Sequence, residues 1–251
     1  MARSAGGEFL LRVEDIDTAR CRPEWEELIF EDLAWLGLTW DGSVMRQSER
    51  TEAYKAALDD LRAASFLYPC TCTRKDIQNA LSAPQEGAVG FDGPPYPGTC
   101  RNRTEPPAKD FALRLNMKKA TQDISNITFC ENLPTPMVPQ SWAAEAMIQD
   151  IGDVVIARKD IGTSYHLAVV VDDAQQGITD VVRGEDLAFA TPVQVLLQKL
   201  LGLPTPKYHH HALTRDETGH RLAKRDDAKA IRKFRNEGAT PEDIRLMVGL
   251  A

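Results

Sequence analysis

The sequence predicts an α/β protein interrupted by an irregular insertion. Three observations carry this. Short apolar runs of strand length alternate with amphipathic segments of helix length toward both ends of the chain. Between them, residues 82–99 hold Pro84, Gly87, Gly90, Gly93, Pro94, Pro95, Pro97 and Gly98, a density that forbids regular structure. The 251 residues, 43% hydrophobic and 27% charged, are enough for one large core with an insertion. The same figures exclude a disordered chain, a collagen-like fibre and a small disulfide scaffold. The longest apolar runs, such as Leu167 to Val171, are too short to span a membrane, and residues 1–7 carry no secretory pattern. A net charge of −7 excludes a generally basic nucleic-acid coat but not a local basic strip. Five cysteines without an export signal point to reduced thiols in a cytosol, and clustered thiols point to a metal.

The elements follow in order. Glu8 to Val13 reads as a buried strand. Pro23 opens a helix with Trp25, Leu28, Ile29 and Leu36 at helical spacing, and Gly37 ends it. A second helix runs from about Glu52 to Ala64, with Tyr54, Ala57, Leu58 and Leu61 on one face. After Phe66 the texture changes: Cys70-Thr-Cys72, a short helix, then the Pro/Gly stretch. Phe111 to Leu115 alternates like a strand, and residues 123–149 carry no clear period. Regular texture returns at Asp153 to Ala157, followed by the apolar run Leu167 to Val171, a strand around Val181, and a helix from Thr191 to Leu201 closed by Gly202. The last 31 residues read as two charged helices. The expected division is 1–64, first part of the body; 65–150, insertion; and 151–251, second part of the body.

Four groups carry chemistry. Cys70 and Cys72, two apart at a turn, can share one ion with Cys100 across the loop. All five histidines lie at 166 or beyond, so the fourth ligand is an oxygen or water. Tyr96, in Tyr96-Pro-Gly-Thr-Cys100, is the candidate because its glycine allows a tight turn. Three unrelated small residues in a loop remain the competing reading. Cys21 and Cys130 have no partners by spacing. Glu14-Asp15 and Asp17 follow the first strand, where an α/β sheet binds ligands. They suit a ligand ammonium or, equally, a helix cap. Arg183, directly after an apolar strand, suits a two-pronged grip on a carboxylate, or a pair with Asp172 or Asp173. Residues 221–235 hold seven basic residues against two aspartates, a partner for phosphate or a solvated helix face. His209-His-His211 sits in a strand-like context, where alternate side chains diverge, so packing or polar contacts outrank a metal. No glycine-rich phosphate loop of either common type is present.

Together these pieces resemble class I aminoacyl-tRNA synthetases of the glutamyl type. Leu11-Arg-Val-Glu-Asp-Ile-Asp17 is similar to that family's strand-end motif. Residues 165–173 and Val182-Arg-Gly-Glu-Asp186 resemble its substrate-side motifs. Arg221-Leu-Ala-Lys-Arg225 resembles its mobile Lys-Met-Ser-Lys-Ser loop, with Arg for the first Lys and Ala for the first Ser. The resemblance implies a Rossmann-like parallel-sheet catalytic domain, with Glu14, Tyr165 and Arg183 binding glutamate and Lys224 binding ATP, which would carry Mg2+. No residue is given a covalent catalytic role. Only 26 residues follow Arg225, where ordinary glutamyl enzymes continue into an anticodon-binding domain. The Cys70, Cys72, Tyr96 and Cys100 pattern also resembles the zinc site of a shorter branch. That branch glutamylates queuosine in the anticodon stem-loop of tRNA(Asp). The resemblance implies one zinc per chain, a cytoplasmic location and no membrane; the oligomeric state stays open, with a monomer favoured. Two alternatives stay open: a fragment of an ordinary glutamyl enzyme, and an inactive zinc-bearing RNA-binding protein. The family's opening strand and His-x-Gly-His-like ATP motif have no counterpart, and no histidine precedes His166. The expectation is a chain lacking its first strand and helix, through a misplaced start codon or a truncation.

Overall fold

The alternation read from the sequence is present in the computed structural model. It describes residues 1–19, 21–81, 95–103, 105, 107, 108, 110–131, 138–158, 160, 162–214 and 231–250. Two compact units emerge, Met1–Arg50 with Leu213–Ala251, and Thr51–Ala212.

In the first unit the opening strand is shorter than its apolar run. Only β1 (Arg12–Val13) pairs, in parallel with β2 (Met45–Arg46). Phe9 is instead tied to Asp41, through its N–H to the carboxylate at 2.9 Å and its carbonyl to the Asp41 N–H at 2.8 Å. Between the strands runs α1 (Pro23–Trp35), with Pro at its first turn and Gly37 at φ +72° past its end.

The second unit starts with α2 (Thr51–Ala63), whose Tyr54, Ala57, Leu58 and Leu61 are buried on the face the periodicity chose. Next come β3 (Leu67–Cys70), α3 (Arg74–Leu81), β4 (Ala112–Leu115) and α4 (Met117–Ala120). The stretch without a period holds β5 (Asn126–Glu131) and β6 (Val138–Ala143), an antiparallel pair, then α5 (Ala144–Ala146), which widens into a π turn. The strand β7 (Val155–Arg158) follows. The run Leu167 to Val171 lies inside a helix, α6 (Tyr165–Gln176). Ser164 caps that helix by accepting from the Leu167 N–H, and Gly177 closes it at φ +65°. The unit ends with β8 (Asp180–Gly184), α7 (Thr191–Leu200) and β9 (Lys207–His211).

Two sheets organise this unit. One is antiparallel, in the order β3-β4-β7. The other is mixed, in the order β6-β5-β9-β8, with β9 parallel to both neighbours. Parallel pairing is thus present but shares the fold with antiparallel pairs. Leu61, Leu115, Ile127, Ile156, Leu167, Leu196 and Tyr208 form one core between the sheets and helices. The compact units divide at 50/51 and 212/213, and β4, within residues 65–150, lies between β3 and β7 in one sheet. Two short helices, α8 (Ile231–Asn236) and α9 (Pro241–Met247), return to the first unit. There Arg235 pairs with Glu31 of α1, and Arg245 donates to the Leu36 carbonyl. No helix among the described residues is long and apolar enough to cross a membrane.

Candidate metal centre and substrate-side residues

The three cysteines meet. Cys70 ends β3, Cys72 follows in the turn, and Cys100 returns on the far side of the Pro/Gly stretch, with all three sulfurs within 4.8 Å of one another. The Tyr96 phenol oxygen stands 3.4 Å from Cys70 Sγ and 3.3 Å from Cys72 Sγ, and it accepts the Cys100 N–H at 2.9 Å. The turn needs its glycine. Gly98 sits at φ +84°, and a Cβ there would meet the Arg101 guanidinium at 2.8 Å.

The donor set suits zinc. With zinc–sulfur bonds of about 2.3 Å, thiolates at tetrahedral corners lie roughly 3.8 Å apart. Cys72 and Cys100 are 3.6 Å apart, and the Tyr96 phenol oxygen is near enough to two of the sulfurs to serve as a fourth donor. Burial raises the Cys100 thiol, but hydrogen bonds from Tyr96, the Thr71 backbone and Cys72 outweigh this and bring it down to about 7. Burial leads in pushing the Cys72 thiol up to about 11, against the Tyr96 hydrogen bond and with help from the neighbouring sulfurs. Burial and the surrounding sulfurs also raise the Tyr96 phenol. A dication bound here would take the thiols as thiolates, and their protons would be released. Among the described residues no other group of His, Cys, Asp and Glu side chains converges in this way, and no disulfide is present. Cys130 is exposed on β5, and the His209–His211 strand makes polar contacts instead.

Sequence reasoning missed what anchors the knot. Asp153, with its side chain fully buried, accepts from Tyr68 Oη at 2.5 Å, Arg101 Nε at 2.8 Å and the Met117 N–H at 2.8 Å. Arg114 donates to the Asp153 carbonyl at 2.7 Å and lays its guanidinium over the Tyr96 ring at 4.0 Å. Gly152, at φ +72°, brings its backbone against Tyr96 in an isolated bridge. Asp153 has no local signature, because its partners are distant in sequence.

The substrate-side residues fall in different places. Arg183, at the carboxyl end of β8, aims Nε at His210 Nε2 (3.1 Å), one terminal nitrogen at Gln194 Oε1 (2.7 Å) and the other at Thr191 Oγ1 (2.7 Å). Its guanidinium also lies 5.1 Å from the centre of the Tyr208 ring. No pairing with Asp172 forms. That buried carboxylate accepts from Tyr54 Oη at 2.8 Å. Burial holds His210 below the usual imidazole range, against the pull of Glu131, so the ring is neutral. With Arg183 donating to Nε2, the proton belongs on Nδ1, facing Glu131 at 2.5 Å. Gln194, Thr191 and His210 carried no sequence signal as partners of Arg183. Tyr165 opens α6, half-buried and edge-on to His166. Glu14 follows β1 in the first unit, exposed, with Arg12 at 3.4 Å. Lys224, and the basic stretch up to residue 230, lie outside the described residues.

Comparison with known proteins gives these positions a context. A family model described as tRNA synthetases class I (E and Q), catalytic domain, matches residues 1–251. A Rhodobacter capsulatus protein named glutamyl-Q tRNA(Asp) synthetase is 54% identical over all of this chain and 91% of its own length. A Geobacter sulfurreducens protein of the same name is 43% identical over 92% of this chain and 69% of its own length. Among solved structures, a glutamate-tRNA synthetase from Elizabethkingia anophelis superposes with a TM-score of 0.73 at 24% identity, over 96% of this chain. That likeness concerns the fold, and this chain spans about half (54%) of that synthetase's length.

Proposed function

Since the chain belongs to the glutamyl- and glutaminyl-type class I tRNA synthetase family, a family of ligases, we propose that it activates glutamate with ATP and transfers it to queuosine in the anticodon loop of tRNA(Asp). The observation that carries this reading is the 54% identity, over the whole chain, to a protein named for that substrate.

The reaction has two displacements. A glutamate carboxylate oxygen attacks the α-phosphorus of ATP, the bond to the β-phosphate oxygen breaks, and pyrophosphate leaves. A hydroxyl of the modified base then attacks the acyl carbon of the adenylate, AMP leaves, and an ester remains. The protein's part is positioning and charge stabilisation. In this reading Arg183 holds a carboxylate of glutamate, Glu14 and Tyr165 shape the amino-acid site, and Lys224 neutralises charge building on the phosphates. Cys70, Cys72, Tyr96 and Cys100 hold one zinc ion, which pins residues 70–72 to 96–100 as a structural cross-link. In this reading the reaction takes place in the cytoplasm.

Incubation with radiolabelled glutamate, ATP and Mg2+ tests the reading. Label should enter tRNA(Asp) bearing queuosine, in the fragment that contains the anticodon loop, and should not enter the same tRNA bearing guanosine. Label entering tRNA(Glu) at its 3′ end would replace this reading with an ordinary glutamyl-tRNA synthetase.

A further inference from the structure

One pocket of the second unit lies apart from the cysteine knot and borders the Arg183 network only through His210. It is an open pocket of about 740 Å3 between the β5–β6 pair, the turn after β8 and the end of β9. Two kinds of side chain define it. Trp142 of β6 and Phe189 of the turn meet edge to face at 6.2 Å, and Phe189 is 58% exposed, a large aromatic surface open to water. Glu131, Glu185 and Gln140 supply oxygen acceptors. No lysine or arginine is among its described lining residues, so its chemistry repels phosphate and favours N–H donors on an aromatic plane. His210 belongs to the wall and, on its other side, accepts from Arg183 at 3.1 Å. Whatever fills the pocket therefore lies one imidazole away from that guanidinium.

We propose that this pocket takes one unstacked nucleobase of a single-stranded RNA loop, its ring against Trp142 and Phe189 and its N–H edge toward Glu185. The inference rests on the reading that RNA is the substrate. A base has a π-face for the aromatic pair, and a guanine-type edge offers paired N–H donors that a carboxylate accepts. Glu131 is already held by the His210 N–H at 3.1 Å and by Nδ1, which fixes His210 and leaves Glu185 as the exposed carboxylate for the ligand. The RNA backbone stays outside, since nothing in the described lining would neutralise it.

The test measures binding of two fluorescently labelled RNAs by anisotropy. One is the anticodon stem-loop of tRNA(Asp). The other is an acceptor minihelix of tRNA(Glu) with its single-stranded 3′ end. Phe189→Ala, whose site is exposed enough to spare the fold, should weaken stem-loop binding about tenfold. Glu185→Gln should weaken it by a smaller factor at unchanged thermal midpoint. Removing the base at one loop position should weaken the wild-type complex comparably and add nothing to Phe189→Ala. If the stem-loop binds but both variants stay within twofold of wild type, the pocket is not a base site, while the functional reading stands. Loss confined to the acceptor minihelix keeps the pocket and overturns the anticodon reading. Wild-type protein that binds neither RNA overturns both, and rescue of the pocket by a peptide ligand would place a protein there instead.

Discussion

Asp153 keeps a carboxylate wholly out of water because three donors converge on it, and two of them, Tyr68 and Arg101, flank the cysteine knot in sequence. The Asp153 carboxylate hydrogen-bonds to none of Cys70, Cys72, Tyr96 and Cys100, but it holds Tyr68 and Arg101, which stand next to them on β3 and the turn after Tyr96. Asp153→Asn keeps the shape and removes the charge that Arg101 needs. Zinc should pass to a chromogenic chelator at least about tenfold faster from this variant, with the far-ultraviolet circular dichroism unchanged. Cys72→Ser should hold no stoichiometric zinc by elemental analysis, and wild-type protein without zinc after growth in zinc-replete medium would remove the metal from the account. Arg183 makes a second residue-scale prediction. Its fork serves His210, Gln194 and Thr191 at once, which an ammonium cannot do. Arg183→Lys should raise the glutamate concentration for half-maximal pyrophosphate exchange by roughly tenfold or more, with the ATP requirement almost unchanged. Equal damage to both requirements would make Arg183 structural.

At the scale of elements, Gly152 is the position where a methyl group does most harm. It combines φ +72° with a Cβ contact of 3.1 Å to the Tyr96 backbone nitrogen. Gly152→Ala should cost about 1–3 kcal/mol, read as a lower urea midpoint, and should loosen Tyr96 first. Elements with a full apolar stripe were legible in the sequence. α2 buries the face its periodicity marks, α7 runs within the limits set by Thr191 and Gly202, and Pro23 and Gly37 bracket α1 as expected. The run Leu167 to Val171 was not legible, since five apolar residues fit a buried strand or a buried helix. What decides is the cap at Ser164 and the left-handed Gly177, twelve residues of helix apart. β6 was hidden because Val138-Pro-Gln-Ser-Trp-Ala143 does not alternate in polarity and depends on pairing with β5. The opposite error arose at Glu8 to Val13, where strand composition found a partner only at Arg12 and Val13. At the candidate site, Cys70, Cys72, Cys100 and Tyr96 were readable as a group because two thiols two apart at a turn are a rare pattern that announces a shared centre. Asp153, Gln194 and His210 were not, because common polar residues carry no sequence sign of the partners they meet.

Over the molecule as a whole, acid should act in two stages. Burial keeps His210 neutral below the ordinary imidazole value near 6.5, with Glu131, Arg183 and Thr191 facing the ring. The unfolded chain takes up a proton there first, so stability falls as pH drops below about 6.5 and levels off below the folded value. Asp180, lowered by its hydrogen bond to His209, adds stability above the ordinary carboxylate range, and that part is lost as pH falls through its lower folded value. Thermal midpoints should therefore decline between pH 7 and pH 5, and His210→Gln should flatten that part of the curve. An unchanged slope in the variant would assign the decline to other groups.

Strand β9 occupies an inner position of its sheet, between β5 and β8, yet it is the last of the four to be synthesised. The chain is made from its amino end, so β5 and its antiparallel partner β6 emerge well before the strand that joins β5 to β8. At ordinary elongation rates the interval from Glu131 to Lys207 lasts roughly 4–15 s. For that time β5 carries one unsatisfied edge, the one β9 will cover, ready to accept a neighbouring nascent chain on the same message. The spacing of ribosomes along the transcript, and any pause within the last few codons before Lys207, thus becomes a determinant of how much folded protein the cell obtains.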